Sequence, residues 1–346
     1  MKISMQLGYS GGFMDTVAEV RELEQAGLDT VWVAEAYGFD GVSLMGYLAA
    51  ETERVEIASG ILPIYTRTPA LLAMTAAGVD ALSGGRAMLG IGASGPQVIE
   101  GFHGVPYDAP VTRTREIIEI CRKVWKKERL EFDGKKYQMP LQGGTGLGKP
   151  LKMITNPVRE EIPITVAALG PKSVEMTAEL ADGWLPIFYL ASKARERWGD
   201  ALDAGAAKRD PKRAPLDVYA GGGVGIGEGL EPMREFGRPM AALYIGGMGA
   251  RGKNFYNELF ASYGYEEEAK QIQDLYLDGK KADAAAAIPQ SFIDATSLIG
   301  PEGFVKERLA ELKESGVNCL NVHLVGNDRK DRIATLDKLR NLLGTV

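Results

Sequence analysis

Two runs decide how this chain folds: Val55-Glu56-Ile57-Ala58-Ser59-Gly60-Ile61-Leu62-Pro63, and Arg86-Ala87-Met88-Leu89-Gly90-Ile91-Gly92-Ala93-Ser94-Gly95-Pro96-Gln97. Each reads as a short apolar strand that ends in small residues. Thr68-Pro69 has the form of an N-cap and first helical position, so a helix running to Leu82 joins the two. Strand–helix–strand connections of this length place the strands parallel. In a barrel of parallel strands the C-terminal rim is where ligands bind. Small residues there let a flat or phosphorylated ligand approach the backbone closely.

Outward from this stretch the same unit recurs. Leu23-Glu24-Gln25-Ala26-Gly27-Leu28-Asp29-Thr30-Val31-Trp32-Val33 is a helix end, a glycine and a strand, and Leu312 to Val322 repeats it around Gly316. Glycine just past a helix accepts the left-handed conformation that ends it. Ala178 to Pro186, around Gly183, reads as a shortened copy. Thr16-Val17-Ala18-Glu19 has capping-box spacing, and Ile117, Ile118, Cys121, Val124 and Trp125 form the apolar stripe of a helix begun near Thr112. Strands are expected near 2–8, 30–34, 55–60, 86–91, 163–168, 183–187, 217–224 and 318–324. Eight strands with helices between them give an α/β chain of the (β/α)8 TIM-barrel kind, with residues 1–346 as one domain. Two stretches interrupt the repeat, at about 128–162 and 246–300. The first holds a hairpin, Leu130 to Met139 with Asp133-Gly134 at its turn, then the glycine-rich Gln142 to Gly148. The second is helical around Asn254–Tyr263 and Glu266–Leu277. Both are expected on the ligand side, as lids or substrate contacts.

Composition narrows the chemistry. A net charge of −6 with no Lys/Arg run excludes a nucleic-acid surface. The N-terminus turns polar too soon for a signal peptide, and no apolar run is long enough to span a bilayer, so a cytoplasmic protein is expected. Cys121 and Cys319 both sit in apolar patterns and are expected as buried thiols rather than a disulfide. With His103 and His323 the only histidines, a multi-histidine metal centre is excluded, and neither carries the motif of a serine nucleophile. An enzyme built from such residues takes its difficult chemistry from a bound organic cofactor.

Ala167-Ala168-Leu169-Gly170-Pro171-Lys172 follows the fifth strand, and its glycine–proline entry into a helix leaves amides open to an anion. Gly92-Ala93-Ser94-Gly95-Pro96-Gln97 is the matching loop on the strand before. Glu35 ends the second strand and is the candidate catalytic carboxylate; a structural pairing with Arg67 has equal weight. Trp32 reads as core, Tyr9 as lining a pocket in the first loop, and His103 as a satisfied loop histidine.

Taken together these residues resemble the luciferase-like monooxygenase superfamily over nearly the full length, and within it the branch that uses the deazaflavin coenzyme F420. The resemblance rests on Val31–Glu35, Ala58-Ser59-Gly60-Ile61-Leu62-Pro63, Tyr65-Thr66-Arg67-Thr68-Pro69, Gly85-Arg86 with Leu89-Gly90-Ile91-Gly92, and Phe132-Asp133-Gly134 with Tyr137. Ala167 to Pro171 and the run from Asn254-Phe255-Tyr256 to Tyr263-Gly264-Tyr265 complete it. It implies a TIM barrel with an inserted region and a non-prolyl cis peptide at Gly60-Ile61, forming a bulge behind the deazaflavin ring. Ser59, Gly60, Ile61 and Glu35 would then border the ring. Gly92, Ala93, Ser94 and Gln97, with Ala167, Ala168, Leu169, Gly170, Pro171 and Lys172, would hold the ribityl and phosphate portions, with Gln6 and Tyr9 on the substrate side.

The activity implied is hydride transfer between C5 of the deazaflavin and an organic substrate, in a protein expected to form a homodimer. Methylenetetrahydromethanopterin reductases of this branch carry glutamate where Gln6 stands, so their substrate does not carry over. The Asp-His pair of related members reads here as Glu35-Ala36, which removes the imidazole that alcohol and sugar-phosphate dehydrogenases use as base. Two other readings share the fold: an FMN-dependent monooxygenase, and a non-catalytic F420- or flavin-binding protein.

Overall fold

A computed structural model describes residues 1–8 and 12–346. Eight parallel strands close into a barrel: β1 Lys2–Gln6, β2 Thr30–Val33, β3 Glu56–Ser59, β4 Ala87–Gly92, β5 Ile164–Ala167, β6 Gly183–Trp184, β7 Asp217–Ile226 and β8 Cys319–Leu324. Pairing runs β1 through β6 in order, while β8 lies between β7 and β1; the contact of Asp217 and Val218 with Gly183 and Trp184 closes the ring. Helices follow the strands on the outside, so the chain is a (β/α)8 TIM barrel.

The strands are buried on both faces, as the short non-alternating runs require. Outward residues such as Val31, Ile57, Leu89 and Val322 join one continuous core with the helices. Inward residues form layers. At the N-terminal end Lys2 pairs with Glu56 at 3.2 Å. Above them lie Trp32, Ala58, Met88, Tyr219 and Cys319, with the Trp32 and Tyr219 rings edge-to-face at 4.9 Å.

Several local expectations hold. Gly27 and Gly316 end their helices at φ +97° and +102°, and Thr68 caps the helix that Pro69 begins. Cys121 and Cys319 are buried free thiols. Others are corrected. The first helix begins at Phe13 with Gly12 as N-cap, so Thr16 lies inside it and makes no capping box. Gly183 is a strand residue rather than a helix stop; a Cβ there would stand 2.6 Å from Thr165 Oγ1 and 2.9 Å from the Tyr219 ring.

The two insertions have different positions. Residues 128–162 follow the helix Pro110–Trp125 and precede β5, at the end of the barrel opposite the ligand rim. Their hairpin, Phe132–Asp133 with Gln138–Met139, climbs the outside of that helix. Four residues, not Asp133-Gly134 alone, make its turn. Residues 246–300 follow β7 and do sit over the C-terminal rim. Their last part, Ser297–Gly300, is a strand absent from the sequence reading, pairing with Gly223–Ile226 along the part of β7 that β6 is too short to cover.

Candidate active site

At the C-terminal end of β3 the register slips by one residue. Ile57 pairs with Ala87 and Ala58 with Met88, but after the turn Leu62 pairs with Ile91 and Pro63 with Gly92. One extra residue is therefore accommodated between Ser59 and Ile61, a bulge of the kind that re-aims a strand beside a functional site. The Gly60–Ile61 peptide within it is cis, as the resemblance implied. Ser59 is fully buried and stitches the slipped ladder: its hydroxyl donates to Gly90 O at 2.8 Å and accepts from Gly90 N at 2.9 Å. A side chain at Gly90 is impossible here, since its Cβ would fall 1.7 Å from Ser59 O.

Close packing beside this bulge requires glycine at two further positions. A Cβ on Gly60 would meet Trp32 Cβ at 2.9 Å, and one on Gly92 would meet Ile61 Cδ1 at 2.9 Å and Ala167 Cβ at 3.3 Å. Gly92 pairs directly with Ala167, so the two loops singled out in the sequence lie side by side. Both are preorganised. Ala168 O and Leu169 O accept from the indole nitrogens of Trp184 and Trp198, each at 2.9 Å, and Gly170 is the N-cap of the helix Pro171–Leu180. Ser94 adopts φ +59°, and Tyr107 reaches its carbonyl at 3.4 Å. Ala93 is half-buried, while Gln97, Gly170, Pro171 and Lys172 are exposed at the outer lip.

Gln6 faces inward from β1; its amide donates weakly to Trp32 O and Gly60 O at 3.3 and 3.4 Å, which puts it against the bulge. Tyr9 lies outside the described residues. Glu35 is held on all sides. Arg67 grips it with both guanidinium nitrogens, the second at 2.7 Å, and Gly41 N, at the start of the helix Gly41–Glu51, donates to it at 2.8 Å. The pairing reading of Glu35 is thus the one its geometry displays. Trp32 is core, as expected, with its indole nitrogen unpartnered among the described residues. His103 is not satisfied: its buried Nε2 has no partner among them.

Three features were missed in the sequence. The rings of Tyr65 and Tyr107 meet at 5.1 Å beside the Gly92–Gln97 loop, and burial pushes the Tyr107 hydroxyl up to about 12. The 246–300 insertion brings Tyr256 toward Tyr107, where burial raises its hydroxyl well above the usual phenol range. His323 lies on β8 beside Gly223 of β7, one residue beyond the pairing of Val322 with Met5. The alternation Cys319–Asn321–His323 was the available signal, since polar residues at every second position of a barrel strand point inward. No cluster of metal-ligand residues occurs among the described residues, and no described helix is long and apolar enough to cross a membrane.

A parallel barrel whose third strand is bulged by one residue at the rim offers its backbone to a ligand there. The family model for luciferase-like monooxygenases matches residues 1–319, and the chain belongs to that family. It is 39% identical over 329 residues, 93% of this chain and 94% of the other, to a Mycobacterium tuberculosis protein whose name places it among coenzyme F420-dependent oxidoreductases. It is 28% identical over 92% of both chains to a 5,10-methylenetetrahydromethanopterin reductase of Archaeoglobus fulgidus. Among solved structures, the coenzyme F420-dependent tetrahydromethanopterin reductase of Methanopyrus kandleri superposes with a TM-score of 0.79 over 97% of both chains, at 20% identity.

Proposed function

We propose that this protein is an F420-dependent oxidoreductase acting on a small organic substrate. The observation that carries the reading is the one-residue bulge at the end of β3, bordered by positions where any Cβ would collide. Such a surface suits a flat tricyclic ring and leaves no room for a substrate to penetrate the barrel. Gly60 and Ile61 would back the ring, Ser59 would hold the bulge from behind, and Glu35 would keep Arg67 at the border of the site. Gly92, Ala93, Ser94 and Gln97 would take the ribityl portion. Ala167 to Lys172 would take the phosphate, where the helix starting at Pro171 offers free amides and Lys172 a cation. When bound, the deazaflavin exchanges a hydride with substrate carbon through its C5. The chain's part is to orient the two and, with the tyrosines of the 246–300 insertion, to exclude water.

Leu71, Met74 and Leu82 stand exposed along one face of the helix Pro69–Ser83, with Gly78 between them. That apolar stripe supports a homodimer, to be checked by the light-scattering mass of the same preparation. The deciding experiment is a pair of fluorescence titrations of purified protein with F420 and with FMN. Saturable quenching by F420, weakened at least tenfold by Gly92→Val, is the expected result. Tight FMN binding without an F420 response would assign the chain to the oxygenating flavin members. Bound reduced F420 that passes hydride to no carbonyl, enone, imine or nitro compound would leave a carrier protein.

A further inference from the structure

His323 is unassigned, yet it is a titratable group at the rim end of β8, beside the strand that carries Gln6. On β8, Leu320, Val322 and Leu324 belong to the core under the helices, so Cys319, Asn321 and His323 face the barrel interior. Ser4, the register partner of Asn321 on the adjacent β1, donates from Oγ to Asn321 Oδ1 at 3.3 Å inside the barrel, which fixes the facing of the strand just below His323. His323 is the uppermost of the three, and its ring is open to solvent through the mouth. On one side its neighbour strand carries Gln6, whose amide contacts Gly60 O; on the other stands Gly223, which brings no side chain into the mouth. The imidazole thus has a neutral amide between it and the bulge, while Ile299 and Val325 take up the space beside Gly223.

We propose that His323 is the proton-exchanging residue of the site, acting on the oxygen of a substrate whose reacting carbon belongs to a carbonyl/alcohol couple. The inference rests on the F420 reading above. It also supplies from β8 the imidazole that Glu35-Ala36 removes from β2. In the oxidising direction the carbinol C–H leaves as hydride, with its electron pair, to C5 of oxidised deazaflavin. The hydroxyl proton passes to His323, and the C=O bond forms. In reduction the flows reverse: the carbonyl carbon takes the hydride from reduced deazaflavin, the oxygen takes the proton from His323, and water reprotonates the ring.

The surroundings suit the task. Although part of the side chain meets solvent at the mouth, the barrel wall around it desolvates the imidazole and holds it below its usual range, with no charged group contributing. Lys2, Glu56 and Asp217 lie at the far end of the barrel, Tyr219 and Cys319 in the layer below, and Glu35 is neutralised by Arg67. The ring is therefore uncharged at neutral pH and free to accept a proton.

Because the chain has only two histidines, histidine-labelled protein gives two imidazole resonances, separable by His323→Gln. Addition of F420 is expected to move the His323 resonance and its titration while leaving His103 in place. In assays with reduced F420 and a panel of ketones and aldehydes, His323→Ala is expected to lose about 10²- to 10⁴-fold in kcat. F420 affinity should stay within threefold, the pH limb that follows the resonance should vanish, and added imidazole should restore part of the rate. His323→Gln, which keeps a hydrogen bond, is expected to retain KM but not kcat. If F420 binds and the His323 resonance stays still, or if the two variants reduce carbonyls at the wild-type rate, the assignment falls while the F420 reading stands. A wild type that reduces enones or nitro compounds but no carbonyl overturns the substrate class. Absence of F420 binding removes both readings together.

Discussion

Glu35 and Arg67 form a pair whose side chains are only 8% and 14% exposed, and the helix beginning at Gly41 adds a third partner to the carboxylate. Removing one member of such a pair leaves an uncompensated charge in a poorly hydrated place. Arg67→Met is therefore expected to cost about 3–5 kcal/mol of folding stability in urea unfolding, with Glu35→Gln losing less because an amide can still meet Gly41 N. The double variant Glu35→Gln/Arg67→Met should lose less than the two single losses added, since neither charge is then stranded. Strict additivity would show that the two side chains are not coupled in solution. From the sequence, the position of Glu35 at a strand end was legible, but the direction of its side chain was not. That direction depends on where the loop after β2 turns, and on Arg67 arriving from the loop after β3. Ser59 shows the same limit. Its motif marked the site, whereas its hydroxyl serves Gly90 of the neighbouring strand.

The eight barrel strands were legible because each is a short apolar run followed by a helix with its own period. Ser297–Gly300 was not, since four residues at the end of a helical insertion carry too little pattern to distinguish a strand from a loop. The hairpin after residue 130 was seen, but what holds it was hidden. Glu116, 6% exposed on the neighbouring helix, accepts from Lys135 N at 2.7 Å and from Lys136 N and Tyr137 N at 3.0 Å each. A carboxylate with three amides on it replaces the hydrogen bonds that a tight two-residue turn would have made within itself. Glu116→Ala should release the hairpin, costing about 1.5–3 kcal/mol, and turn the exposed stretch that follows it into a protease-sensitive segment. Because Arg113 lies over both the Tyr137 and Tyr65 rings, and Tyr65 packs on Tyr107 beside the Gly92–Gln97 loop, the F420 titration is expected to weaken, but by less than under Gly92→Val. Limited proteolysis of variant and wild type at equal times checks this; equal cleavage would mean that Glu116 is not the anchor.

The two cysteines sample the two layers of the molecule. Cys121 lies in the helix layer against Pro69 O, while Cys319 lies inside the barrel beside Trp32 and Tyr219. Burial pushes both thiols up to about 12. Thiol reagents attack the thiolate, so ionisation alone slows labelling of the native protein by about 10³-fold relative to an ordinary cysteine near pH 8, and steric exclusion slows it further. What labelling remains must pass through opening of the structure. The helices have no core of their own apart from the outward face of the strands, and the strands close on one another only when β7 reaches β6. Neither layer can therefore open while the other stays intact. If residues 1–346 are one domain, both thiols become reactive in rising urea in a single transition, coincident with loss of helical circular dichroism. Cys121→Ser and Cys319→Ser, used separately so that each remaining thiol reports its own layer, should give superimposable midpoints once corrected for the stability lost by each substitution. A Cys121 transition well below that of Cys319 would show a barrel that outlives its helices, and would divide the chain into two units.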